Sequence, residues 1–162
     1  MLLFEEDKSI QGTALAMLWD ACFDQADVFS LCTAIWTQAT NDALEKALMP
    51  YRLRGFRTAR WFCHWSTEPF LEVNLYEANE ETRSIVKQHV RDLYFDLSRN
   101  RDLHTLEDLC FFREDQLFFG TVSHEGICMA QPATQEFAAL LQNFGMWSNH
   151  EDRFAKINLA DF

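Results

Sequence analysis

Between Leu106 and Gln131 the chain carries three short apolar runs, Leu106 to Arg113, Gln116 to Ser123 and Ile127 to Gln131, joined by Glu114-Asp115 and Glu125-Gly126. Connections this short leave no room for a crossover, so the strands they join must run antiparallel. The segment reads as a meander, and any fold for this chain has to be built around it.

The flanking sequence supplies both further strands and helices. Val28 to Trp36 is rich in β-branched and aromatic residues and reads as a strand. Phe56 to Trp65 and Phe70 to Tyr76 read as a hairpin around Ser66 to Pro69. In its second arm Leu71, Val73 and Leu75 alternate with Glu72, Asn74 and Tyr76, which predicts one buried and one wet face. Helical spacing appears over Gln11 to Phe23, through Leu15, Leu18, Trp19 and Cys22, and over Asn41 to Met49, where Pro50 marks the stop. Asn79 is an N-cap followed by Glu80 and Glu81, and Ile85, Val86, His89, Val90, Leu93 and Tyr94 continue as a core-facing stripe. Thr134 to Asn143 forms the last helix, with Gly145 as its terminator. This order predicts an α+β fold, a single domain over 1–162 with a mainly antiparallel sheet of about five to six strands and helices packed on it.

Composition agrees with one self-sufficient domain. A chain of 162 residues, 48% of them hydrophobic with fifteen Phe and five Trp, buries roughly 70% of the surface its unfolded form exposes. Gly and Pro together number eight, and no low-complexity stretch separates two halves. Cys22, Cys32, Cys63, Cys110 and Cys128 form no CxxC pair and are odd in number, so buried reduced thiols and a cytoplasmic location are expected. Glu5, Glu6 and Asp7 give Met1 to Lys8 the wrong charge for a secretory leader. The apolar stretches fall far below the ~20 residues that cross a bilayer, so no membrane association is expected.

No chemical signature emerges from the motifs. Ser123-His124-Glu125 contains the residue types of a hydrolytic triad, but contiguous residues do not converge, and turn polarity closed by Gly126 is the simpler reading. The five His show no HExxH and no finger spacing, although Cys63 and His64 are adjacent and His150-Glu151-Asp152 would need further ligands for a cation. GxGxxG, P-loop and GxSxG patterns are missing. The chain is therefore expected to carry no catalytic residues, no metal and no cofactor, though twenty-five acidic residues leave room for a carboxylate pair.

Charge is what remains. The net charge is −11, which favours basic partners and disfavours nucleic acid. Asp20, Asp24 and Asp27 gather at a helix end where the dipole prefers cations, so helix stability leaves them unexplained; Glu77, Glu80 and Glu81 crowd another helix start. These six are the candidate partner-binding residues. The leading expectation is an acidic protein-binding or inhibitor domain, of the immunity type, that covers the active site of a basic toxin such as a nuclease. The alternative is a pocket for an anionic small molecule, or an enzymatic site, lined by Arg57, Arg60 and His124, drawn from the basic stretch Tyr51 to Trp65. A third reading, a subunit or adaptor of a larger assembly, rests on aromatic content and on Trp147 and Phe162, which have no evident place to pack.

Overall fold

The computed structural model describes residues 1–5, 9–34, 42–95, 105–150 and 157–162. Among these the elements are β1 (Leu2–Phe4), α1 (Gly12–Phe23), β2 (Val28–Thr33), α2 (Ala43–Leu48), β3 (Arg52–Thr58), β4 (Arg60–Trp61), β5 (His64–Trp65), β6 (Leu71–Glu77), α3 (Glu80–His89), β7 (Leu106–Arg113), β8 (Gln116–Val122), β9 (Ile127–Ala130), α4 (Gln135–Leu141) and β10 (Trp147–Asn149). Eight strands form one open antiparallel sheet in the order β10-β1-β9-β8-β7-β2-β6-β3, and β4 and β5 make a separate small hairpin. The fold is α+β, as the meander and the interspersed helices require. No described helix is long and apolar enough to cross a membrane.

The meander forms as expected, β7 to β8 to β9. Its first turn places Glu114 and Asp115 at φ 50° and 64°, the left-handed pair whose twist matches that of the flanking strands. Helices cover one face of the sheet. Leu15, Leu18 and Trp19 of α1, Leu44 and Leu48 of α2, Val86 of α3 and Phe137 and Leu141 of α4 pack there on Phe29, Phe111 and Phe119. The other face is covered by Trp61 and Phe62 of the small hairpin and by Ile157 and Leu159, which lie on Val73, Leu75, Cys110 and Phe112.

With the helices on the Tyr76 side of β6 and the second layer on the Leu71, Val73 and Leu75 side, the expected wet face is not found. Asn74 and Tyr76 are buried along with Leu71, Val73 and Leu75, and only Glu72 and Glu77 retain exposure. The hairpin also differs from its sequence reading. Its arms are β3 and β6, paired from Arg52↔Tyr76 to Thr58↔Leu71, and Arg60 to Trp65 fold back as a hairpin of their own. The sheet exceeds five to six strands because β1 and β10, too short to show a period, add to its far side. Trp147 and Phe162 do find places: Trp147 is buried 5.2 Å from Phe4, and Phe162 stacks on Phe56 at 5.2 Å and meets Trp61 at 5.3 Å. All five cysteines are free, and all but Cys63 are buried. The expected strand beyond Ala34, the helix start at Asn41, His104 and the Glu151-Asp152 pair lie outside the described residues.

Helix α3 ends at His89, earlier than its apolar stripe suggests, and Val90 and Leu93 reach the core from the turn that follows. Its start is fixed by a reciprocal cap. Asn79 Oδ1 accepts from the Thr82 N–H at 2.9 Å, and Thr82 Oγ1 accepts from the Asn79 N–H at 3.0 Å. Replacing Asn79 by alanine is expected to lower stability by about 1 kcal/mol, with Asn79→Ser losing much less. Urea unfolding of the two variants reads the difference.

Candidate functional site

Two adjacent carboxylates, Glu107 and Asp108, stand in the otherwise apolar start of β7. Ordinary strand alternation would send them to opposite faces. A bulge prevents this: Ser30 pairs with Cys110 and Cys32 with Glu107, so Leu31 alone opposes both Asp108 and Leu109. Asp108 takes φ 58°, a left-handed conformation that is sparsely populated for residues with a side chain and that recurs at functional sites.

The bulge is tied to the turn after β8. The Asp108 N–H donates to Ser123 Oγ at 3.2 Å, and the Ser123 N–H donates back to Asp108 Oδ1 at 2.7 Å. Ser123–Glu125 form a 3-10 turn closed by Gly126 at φ 67°, which needs the freedom of glycine. This turn sets His124 Nδ1 3.6 Å from Glu107 Oε2, with Nε2 3.9 Å from Glu125 Oε1. One donor atom from each of Glu107, Asp108 and His124 thus lies within 4.8 Å of the other two.

The electrostatics are those of a confined site. The Glu107 side chain is 5% exposed, and burial, reinforced by the neighbouring Asp108 charge and opposed by His124, pushes its carboxyl up to about 7. Burial raises Asp108 to about 6 against the hydrogen bond from the Ser123 backbone. The small hairpin borders the same region. Burial, with the charge on His124, lowers the basicity of His64, and among the described residues its Nε2 is buried without a hydrogen-bond partner. Cys63, at φ 54°, is pushed up to about 12 by burial and then by Glu125 and Asp108. It is a thiol at neutral pH, not a nucleophile. The arrangement can hold a proton near neutrality or accept a cation.

The residues expected to bind a partner occupy the helical face. Lys87 Nζ of α3 donates to Asp20 at 2.6 Å, and Arg83 donates to Asp24 at 2.6 Å while lying 3.4 Å from Glu80. Asp27 accepts the Glu114 N–H at 2.8 Å, and Glu77 and Glu81 are exposed. These partners correct the view that stability leaves the aspartates unexplained: cations from α3 and a backbone donor offset the unfavourable dipole. Asp20 and Asp24 also border a groove of about 590 Å³ between α1 and α4, with Ala21, Phe137 and Leu140 in its lining and Glu136 on its α4 side.

Both arginines of the expected anion-binding set are exposed. Arg57 is 71% exposed and 3.9 Å from Glu72, and Arg60 is exposed at the start of β4. His124 faces the carboxylates of Glu107 and Glu125 and lies near His64 of the small hairpin. The sequence reading singled out His124 but missed Glu107 and Asp108. Their signal was present, in two consecutive carboxylates inside a strand with no wet face. No protein family, curated protein or solved structure matches the chain.

Proposed function

We propose that the protein works by binding a basic protein partner at the α1–α4 groove, as an inhibitor of the immunity type that covers a cationic active site. The observation that carries this reading is the groove itself, where apolar Ala21, Phe137 and Leu140 are flanked by Asp20, Asp24 and Glu136, with Met17 55% exposed beside them. An apolar floor supplies anchoring area, and an acidic rim steers a cationic surface and rejects acidic ones. Lys87 and Arg83 hold Asp20 and Asp24 from the α3 side, and Asp24 remains 64% exposed. The cations fix these two carboxylates at the rim and offset part of their charge, so the steering field rests on Glu136 as well as on them.

The test is a comparative capture from native-host lysate, with the parent protein and an Asp24→Lys/Glu136→Lys variant immobilised in parallel. A partner specific to this groove is retained by the parent at low salt and released at high salt. The variant should associate at least about tenfold more slowly with that same partner, because steering acts chiefly on the association rate. Equal retention by both proteins, with both folded by circular dichroism, would place recognition elsewhere.

A further inference from the structure

We infer that Glu107, Asp108 and His124 form a binding site for a first-row divalent transition ion such as Zn²⁺ or Mn²⁺. This inference is independent of the groove. It begins from Glu107, a carboxylate whose side chain is 95% removed from solvent, since 5% remains exposed. Among the described residues its one polar side-chain partner is His124, whose Nδ1 lies 3.6 Å from Oε2. A buried carboxylate with a second carboxylate beside it, a single imidazole for a partner and, among the described residues, no Lys or Arg paired to either is an electrostatic arrangement that a dication completes.

The geometry is close to what coordination needs. Donors bonded at ~2.1 Å around a tetrahedral ion stand about 3.4 Å apart, and the His124–Glu107 separation is 3.6 Å with all three donors inside 4.8 Å. The supporting contacts are of the kind that orient ligands. Ser123 N–H holds Asp108 Oδ1 at 2.7 Å, leaving the other oxygen for the ion. His124 turns Nδ1 toward Glu107, and Glu125 Oε1 stands 3.9 Å from Nε2, on the side from which an outer carboxylate orients a ligating ring. One imidazole and two carboxylates suit zinc, manganese or iron(II) better than Mg²⁺ or Ca²⁺, which take oxygen ligands almost throughout. Three protein donors leave a position for water or a substrate atom. The strained φ of Asp108, 58°, is then a consequence of bringing both carboxylates to one point.

The experiment uses the full chain stripped with chelator, titrated with Co²⁺ by visible absorption and with Zn²⁺ by calorimetry at neutral pH. We expect one ion per chain and a cobalt spectrum of nitrogen and oxygen ligation. Glu107→Gln and His124→Ala should each weaken binding by more than the roughly 10–100-fold lost with an outer-shell partner, and Cys63→Ser should leave it intact. Four results would overturn the inference: no saturable binding at micromolar ion, equal affinity in the folded Glu107→Gln and His124→Ala proteins, a thiolate charge-transfer band, or displacement of Co²⁺ by equimolar Mg²⁺. His124 is on an exposed turn and Glu107→Gln preserves shape, so loss of binding in these variants is separable from loss of fold.

Discussion

In chelator, Glu107→Gln is expected to be more stable than the parent at pH 8 by on the order of 3 kcal/mol and nearly equal to it at pH 4. The sign follows from the raised acidity constant. Unfolded, Glu107 titrates near 4.5; folded, it is pushed up to about 7, first by burial and then by the Asp108 charge, against the pull of His124. Between those values the folded state holds a proton that the unfolded state has released. Stability conferred by the neutral carboxyl is complete below pH 4.5 and is lost as pH rises through 7. Glutamine is permanently neutral and escapes that loss. Asp108, raised from 3.8 to about 6, adds to the slope in the same direction. The groups facing the pair are His124 and Glu125 from the turn after β8, Cys63 from the small hairpin, Cys32 from β2 and Cys110 further along β7. Urea unfolding of parent and variant at pH 4, 6 and 8 measures the effect. A parent as stable as the variant at pH 8 would mean that the carboxylate is solvated or paired after all.

Phe111→Ala is expected to remove about 3–5 kcal/mol, a large part of the roughly 5–15 kcal/mol that stabilises a domain. Phe111 is fully buried and touches five other rings, Trp19, Phe23, Phe29, Phe118 and Phe119, at centroid distances from 5.0 to 6.3 Å. Its loss leaves a void bounded by two strands and a helix, and close-packed neighbours cannot collapse into such a space without disturbing their own contacts. Leu53→Ala, at a residue 56% exposed on β3, is the control and should change stability by less than about 0.5 kcal/mol. A small loss at Phe111 would show that the helical layer repacks freely over the sheet.

Which parts of this molecule could be read from its residues depends on how locally each is encoded. The two-residue link Glu114-Asp115 and the Asn79 cap are local, and both appear where the chain alone places them. The wet face assigned to β6 was a tertiary question disguised as a local one. Glu72, Asn74 and Tyr76 look like a solvent stripe, yet Ile157 and Leu159, more than eighty positions away, help cover the opposite face, and Tyr76 turns under the helices. The carboxylate centre failed for a related reason. His124 belongs to a recognisable turn, but its approach to Glu107 requires a bulge set by the pairing of Ser30 and Cys32 with β7. That shift in register has no signature in either segment. The helical aspartates were visible as a cluster, while Lys87 and Arg83, their partners, looked like ordinary surface cations of α3.

Strand β1 is hydrogen-bonded on one side to β9 and on the other to β10. During synthesis Leu2, Leu3 and Phe4 are therefore made long before either of the strands that pair with them. At about 5–20 residues per second, the interval before Trp147 emerges is on the order of ten seconds. Until β9 is made β1 is an apolar strand with neither neighbour, and until β10 follows one of its edges stays open. Chaperone capture and misassembly between neighbouring chains compete in that interval, and slower translation after β9 would lengthen it.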